Sequence, residues 1–259
     1  MKKWLLIGSL ALVLIVVGVI VLGVSKIGPI IKSSVNTYGP GITKTDVRLG
    51  DVNIALLSGQ AKLKDFYLGN PRGFKSPEAV KVGSILVDVD EGSLTAGTII
   101  IDRIEVRNPQ LTYEKTAGKD NFQTILNNIT GATGKGKASS SRASGDQQSG
   151  NRKIIIRDFQ LTGGKVNLSA SMLGQSKKVS ATLPDIHLTG IGETKGGVKP
   201  AEAFQIVFAE LSKHINSPDV MNAFTDQLKQ LNVDADVLKK IDPAEVKGVA
   251  DTFKNILGK

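Results

Sequence analysis

The sequence predicts a mainly β chain with helices. It comprises an N-terminal transmembrane helix, a curved antiparallel sheet and C-terminal amphipathic helices. Three observations predict it: an uncharged apolar run near the N-terminus, two-residue alternation broken by turn residues through the middle, and a 3.6-residue period after Gly196-Gly197. The chain divides into an anchor and juxtamembrane segment (1–35), a β-rich domain (36–199) interrupted by a disordered loop (131–152), and a helical region (200–259).

The N-terminal run, Trp4 to Ser25, holds 22 residues without a charge. As a helix rising about 1.5 Å per residue it reaches roughly 33 Å, enough for a hydrocarbon core of about 30 Å. Trp4, Leu5, Leu12, Val17 and Val24 are the anchor candidates, with Lys2 and Lys3 before them. A cleaved signal peptide is the alternative, but its apolar region is usually about 7–15 residues long, shorter than this run. The expected orientation is a cytoplasmic N-terminus with the body on the far side of the membrane. Pro29 is expected to bend or end the helix, and Tyr38-Gly39-Pro40-Gly41 to end it.

Residues 42–115 alternate apolar and polar and are broken at Ser58-Gly59, Asn70-Pro71-Arg72-Gly73, Glu91-Gly92 and Asn108-Pro109. A short helix is expected over 120–129, capped by Asp120 or Asn121, with Phe122, Ile125, Leu126 and Ile129 on one side. Residues 131–152 hold no apolar side chain larger than alanine, the composition of a solvated loop. Strand patterns resume at 153–162, 164–173 and 177–189. Three helices follow. One opens at Pro200, one restarts after Ser217-Pro218, and one begins with the capping box Asp242-Pro243-Ala244-Glu245.

Four segments can be written one under another: Leu63-KDFYLGN-Pro71, Ile101-DRIEVRN-Pro109, Ile156-RDFQLTG-Gly164 and Leu183-PDIHLTG-Ile191. Their recurrence points to a quasi-repeating sheet. Within the later strands Val166, Leu168, Ala170 and Met172 share one face, as do Val179, Ala181 and Leu183. These seven are the candidates for a lipid groove. An ordinary core packed on the C-terminal helices needs the same alternation, so the pattern leaves both readings open.

The order of these features resembles the AsmA-like family of bacterial envelope proteins, related in architecture to repeating β-groove lipid-transfer proteins. The resemblance rests on the single N-terminal anchor, VRLGDVNIALLSGQAKLKDFYLGNPRGF (47–74), VGSILVDVDEGSLTAGTIIIDRIEVRNPQLTYEK (82–115), NFQTILNNI (121–129) and LPDIHLTGIG (183–192), and covers roughly residues 1–192. It implies an inner-membrane protein with its body in the periplasm, tied to phospholipid movement or outer-membrane homeostasis. The family carries no catalytic motif. This chain departs from the larger members in its single short sheet and its helical C-terminus. Bridging an envelope would therefore need oligomers or partners.

The remaining arithmetic excludes functions rather than choosing one. The chain has no cysteine and two histidines, His187 and His214, so thiolate zinc sites, cysteine nucleophiles and histidine triads lack raw material. No enzymatic activity, cofactor or metal is expected. Asp88, Asp90 and Glu91 lack the twelve-residue ligand spacing of a calcium loop. The net charge of +9 is spread over the juxtamembrane segment, the 131–152 loop and residues 153–199, which disfavours nucleic acid. Lys135, Lys137, Arg142 and Arg152 are the candidate contacts for anionic headgroups. The expected function is binding or moving phospholipid, or supporting outer-membrane homeostasis, through an apolar groove. The alternative is a non-catalytic assembly factor that binds protein partners, or its own copies, at the inner membrane.

Overall fold

A computed structural model of the chain describes residues 27–55, 58–133, 152–169 and 179–231. These residues form twelve strands and four α-helices. Helix α1 (Ile27–Thr43) leads into β1 (Val47–Arg48), β2 (Asp51–Ala55), β3 (Gln60–Gly69) and β4 (Glu78–Val89). A 3-10 helix, Glu91–Thr95, turns the chain into β5 (Thr98–Arg107), β6 (Gln110–Tyr113) and the small hairpin β7 (Lys115–Thr116) and β8 (Lys119–Asp120). Helix α2 (Asn121–Thr133) precedes β9 (Lys153–Thr162), β10 (Lys165–Leu168), β11 (Ser180–Thr182) and β12 (Ile186–Ile191). Helices α3 (Pro200–Ile215) and α4 (Pro218–Gln230) follow.

Ten strands form one curled, half-barrel sheet, but they behave as six. β1 and β2 keep one register against β3, β5 and β6 keep one against β4, and β11 and β12 keep one against β10 and β9. Each of these pairs is one long strand broken in the middle. The sheet is mixed and not antiparallel throughout, which corrects the sequence expectation. β5 pairs with β9, and β6 with β10, in parallel. The cause is the long connection between Tyr113 and Lys153, which carries α2 and returns the chain to its starting end; a parallel pair needs a crossover of that kind.

The helices form a layer over the apolar side. α1 packs on β1, β2 and α2; α2 packs on α3; α3 packs on β9 and β12; α4 packs on β11. α1 runs through Pro40, where the sequence predicts an end; Pro29 lies in its first turn, and the apolar run it is expected to bend or end lies outside the described residues. Tertiary contact overrides the local signal: a Cβ on Gly28 would fall 2.5 Å from the Val52 carbonyl oxygen, and one on Gly39 2.8 Å from the Val47 side chain. Both glycines let the helix lie directly on the edge strands. Asn36 adds a clamp, accepting from the Leu49 N–H at 2.6 Å. The helix ends where Lys44 turns left-handed (φ 58°) and donates its N–H to the Pro40 carbonyl.

The short helix is capped as the sequence predicts. Asp120 Oδ1 accepts from the Gln123 N–H at 2.7 Å, and α2 runs four residues beyond Ile129. α3 and α4 begin at Pro200 and Pro218, with the Ser217 hydroxyl capping the second. The predicted helix at Asp242 lies outside the described residues, as does the N-terminal run. Among the described residues no helix is long and apolar enough to cross a membrane.

Candidate functional site

The strand registers assemble apolar side chains into rows that cross the sheet. One row reads Val47, Leu68, Val80, Leu111, Val166 and Ala181, paired neighbour to neighbour. A second reads Val52, Leu63, Ile85, Val106, Leu161 and Ile186. A third reads Ile54, Ala61, Val87, Ile104, Phe159 and Leu188. A shorter fourth joins Val89, Ile101, Ile156 and Ile191.

In every long strand the first and second rows are five residues apart, a step that a regular pleat would send to opposite faces. The registers place Gly50, Asp65, Gly83, Asn108, Gly163 and Pro184 in a line between the two rows. Three of these, Asp65, Asn108 and Gly163, hold left-handed backbone at φ 54°, 50° and 66°. The line is a crease. It resets the alternation so that both rows fall on one face of the sheet. Glycine, aspartate and asparagine are the residues that accept this conformation at least cost.

The third and fourth rows are related by a bulge. Asp88 pairs with Arg103 and Val89 with Ile101, so β5 carries one extra residue at Asp102. The β5–β9 pairing lapses at the matching positions, Asp102-Arg103 and Arg157-Asp158. This explains the repeated motif. Ile101, Ile104 and Val106 pair one to one with Ile156, Phe159 and Leu161, and the charged residues between them join a surface network. There Arg157 pairs with Asp102, Arg103 lies 3.5 Å from Asp158, and His187 Nε2 lies 2.7 Å from Asp158. The other two copies of the motif do not share this register. Leu63 sits opposite Ile85 in the second row, and Leu183 lies between β11 and β12, which pair antiparallel with β10 and β9.

A model of the AsmA family matches residues 1–185. The chain belongs to the AsmA family. No curated protein and no solved structure matches it. The match includes the N-terminal apolar run and extends to the last long strand of the sheet.

The apolar face of this AsmA sheet is closed over one part and open over another. The first row is buried throughout, with Leu111 and Val166 fully inaccessible. α2 and α4 supply Phe122, Ile125, Leu126, Ile129, Met221, Phe224 and Leu228 to the same core. The half-buried side chains Ile54, Ala61, Leu63 and Val87, on β2 to β4, stand outside that packed core. In the same rows Phe159, Leu161 and Ile186, on the α3 side, are buried. This half-buried patch, on β3, β4 and the end of β2 beyond the buried Val52, is the open part of the face.

Of the predicted groove residues, Val166, Leu168, Val179, Ala181 and Leu183 are buried in the closed part, packed with α4. Gln227 of α4 ties the helix to β11 through both the N–H and the carbonyl of Ser180. Ala170 and Met172 lie outside the described residues, as do Trp4, Leu5, Leu12, Val17, Val24, Lys135, Lys137 and Arg142. Arg152 is exposed and donates to the Leu94 carbonyl at 3.1 Å. The open residues Ile54, Leu63 and Val87 were missed because alternation marks a face without saying what covers it.

A buried polar clasp holds the closed end. Glu114, fully buried, accepts from the Lys75 and Ser76 N–H groups at 2.8 Å each. Asn121 donates to Asn70 Oδ1 and the Thr112 carbonyl, both at 2.7 Å, and accepts from the Glu114 N–H. The Asn-Pro-Arg-Gly-Phe loop is thus fixed from β6 and α2. Next to the clasp, burial pushes the Asp120 carboxyl above its ordinary range, against the pull of the Gln123 N–H and Lys115. Burial, with the Asp120 charge, pushes the Tyr113 phenol up as well. Among the described residues no cluster of histidine and carboxylates is placed to hold a metal ion.

Proposed function

We propose that this AsmA-family protein is a non-catalytic envelope protein anchored in the inner membrane, with its body in the periplasm, and that it holds phospholipid acyl chains on the open part of its sheet. The observation that carries the reading is the set of half-buried residues Ile54, Ala61, Leu63 and Val87, continuous in register with a closed apolar core. Such a face leaves apolar area in contact with water, and each side chain covered by an acyl chain gains a fraction of the about 1.5–3 kcal/mol that full burial of a large apolar side chain brings. The match across residues 1–185 supports the anchor, because it takes in Trp4 to Ser25.

The test is phospholipid retention by the full chain extracted in detergent, read by mass spectrometry. Val87→Asp places a charge in the open part without entering the packed core. The wild type is expected to carry phospholipid, and the variant to lose it while keeping its fold by circular dichroism. Lipid-free wild-type preparations would end the reading in favour of a protein-binding assembly factor.

A further inference from the structure

The chain continues for 28 residues past Leu231, the last described position, and the sequence predicts one more helix among them, opening at Asp242-Pro243-Ala244-Glu245. In such a helix Val246, Val249, Phe253, Ile256 and Leu257 recur at one-, three- and four-residue steps and share one side, while Lys247, Asp251 and Asn255 fall on the other. A short amphipathic helix is marginal in water and gains its stability by laying its stripe on an apolar surface.

We propose that residues 243–257 lie across the open part of the sheet, with their stripe on Ile54, Leu63 and Val87, and that phospholipid acyl chains displace them from it. Three observations choose this segment as the occupant. α2, α3 and α4 each lay apolar side chains on the same face, so a further helix continues the layer where it stops short of β2 to β4. The width also fits: β2 to β4 spans about 10 Å from first strand to third, close to the diameter of one helix with its side chains. The reach fits as well. Gln227 holds the last turn of α4 to Ser180, at the β11 edge and beside the first row. From there the open part is three strands away, through β10 and β6 to β4, and about seven residues along β4, from Val80 to Val87. On a flat sheet that is a diagonal of roughly 27 Å. The eleven steps from Leu231 to Asp242 extend to about 36–39 Å, so the linker spans it. The inference rests on the acyl-chain reading for what displaces the segment, and not for where the segment sits.

The chain has no cysteine, so pairs can be placed one at a time. The full chain, extracted in detergent and stripped of lipid, carries Val87→Cys with one partner: Val249→Cys, Phe253→Cys or Leu257→Cys on the stripe, or Asp251→Cys or Asn255→Cys opposite it. Ile54→Cys replaces Val87→Cys in a second series, so that neither change alone decides the result. Cysteines whose Cα atoms lie more than about 7 Å apart do not bridge, so the rate of disulfide formation under mild oxidation reports the seat. At least one stripe position is expected to bridge within the chain at least about tenfold faster than either outward position. Phosphatidylglycerol added in mixed micelles is expected to slow that bridge. Equal rates on both sides of the segment, or bridges only between chains, overturn the inference; phospholipid retention by the wild type then still stands or falls by itself. A fast stripe bridge that phospholipid leaves unchanged overturns the displacement and removes the acyl-chain reading with it.

Discussion

The two parts of the apolar face are built from the same residue types in the same registers, yet they differ in what covers them. In the first row Leu68, Val80, Leu111 and Val166 are sealed by α2 and α4. In the third row Ile54, Ala61 and Val87 stand half-buried beside β5 and β9 neighbours that contact the core. A sheet therefore does not decide its own function; the helices laid over it do. The closed part supplies stability, and the half-buried part is the one proposed to hold a ligand.

The comparison breaks first at the closed part. Leu111→Ala and Phe224→Ala remove fully buried side chains from a packed core and are expected to cost about 2–5 kcal/mol each. Val87→Ala is expected to cost less than about 1 kcal/mol, because that site is already part-open. Urea unfolding of the three variants checks the ranking. Similar losses at Val87 and Leu111 would mean that the open part is core.

The seating of α1 comes next. A Cβ at Gly28 would meet the Val52 carbonyl, a backbone atom that cannot swing away, so Gly28→Ala is expected to cost about 1–3 kcal/mol. Gly41→Ala, where nothing lies within 4 Å, is expected to be neutral or slightly stabilising by helix propensity. Thermal unfolding of the two variants separates seating from propensity. Equal effects would show that α1 is not held by its contact with β2.

Asp120 sharpens the comparison by pH. Its carboxyl is raised in the folded protein, so between its unfolded pKa of about 4 and its higher folded value the native state binds more proton. Stability from this group is full below that window and falls as pH rises through it. Asp120→Asn keeps an acceptor for the Gln123 N–H and carries no charge. It is expected to flatten that decline and to match or exceed wild-type stability at neutral pH. Stability curves at several pH values between 4 and 8 check it, and an unchanged slope would remove Asp120 from the account. The smallest effect is expected at the crease. Asp65→Gly should shift stability by less than about 1 kcal/mol, whereas Asp65→Val, forced to φ 54°, should cost more.

Much of this organisation was legible in the sequence, and the misses share a physical cause. Asp120, Pro200 and Ser217-Pro218 announce helix starts because capping is local chemistry. Pro40 misleads because packing of Gly39 on Val47 outweighs one lost hydrogen bond. The parallel pairing of β5 with β9 is invisible to alternation, since strand direction is set by the connection and not by the strand. Its trace was nonetheless present: the 55-residue spacing between Ile101 and Ile156 is the register offset itself. The motif's apolar spacing also encoded the bulge at Asp102, which a strict two-residue period cannot express. The open part was missed because coverage by α2, α3 and α4 is tertiary. Strand alternation reads the same for Val87 and Val166.

The claim that the open part, and not the closed part, meets lipid is tested most directly by photolabelling. Full-length protein in vesicles is irradiated with a phospholipid bearing a photoreactive group on its acyl chain, and the labelled peptides are mapped by mass spectrometry. The prediction is labelling at Ile54, Leu63 and Val87, with Val166 and Ala181 clean. Labelling centred on Val166 and Ala181, or confined to the N-terminal run, would contradict it.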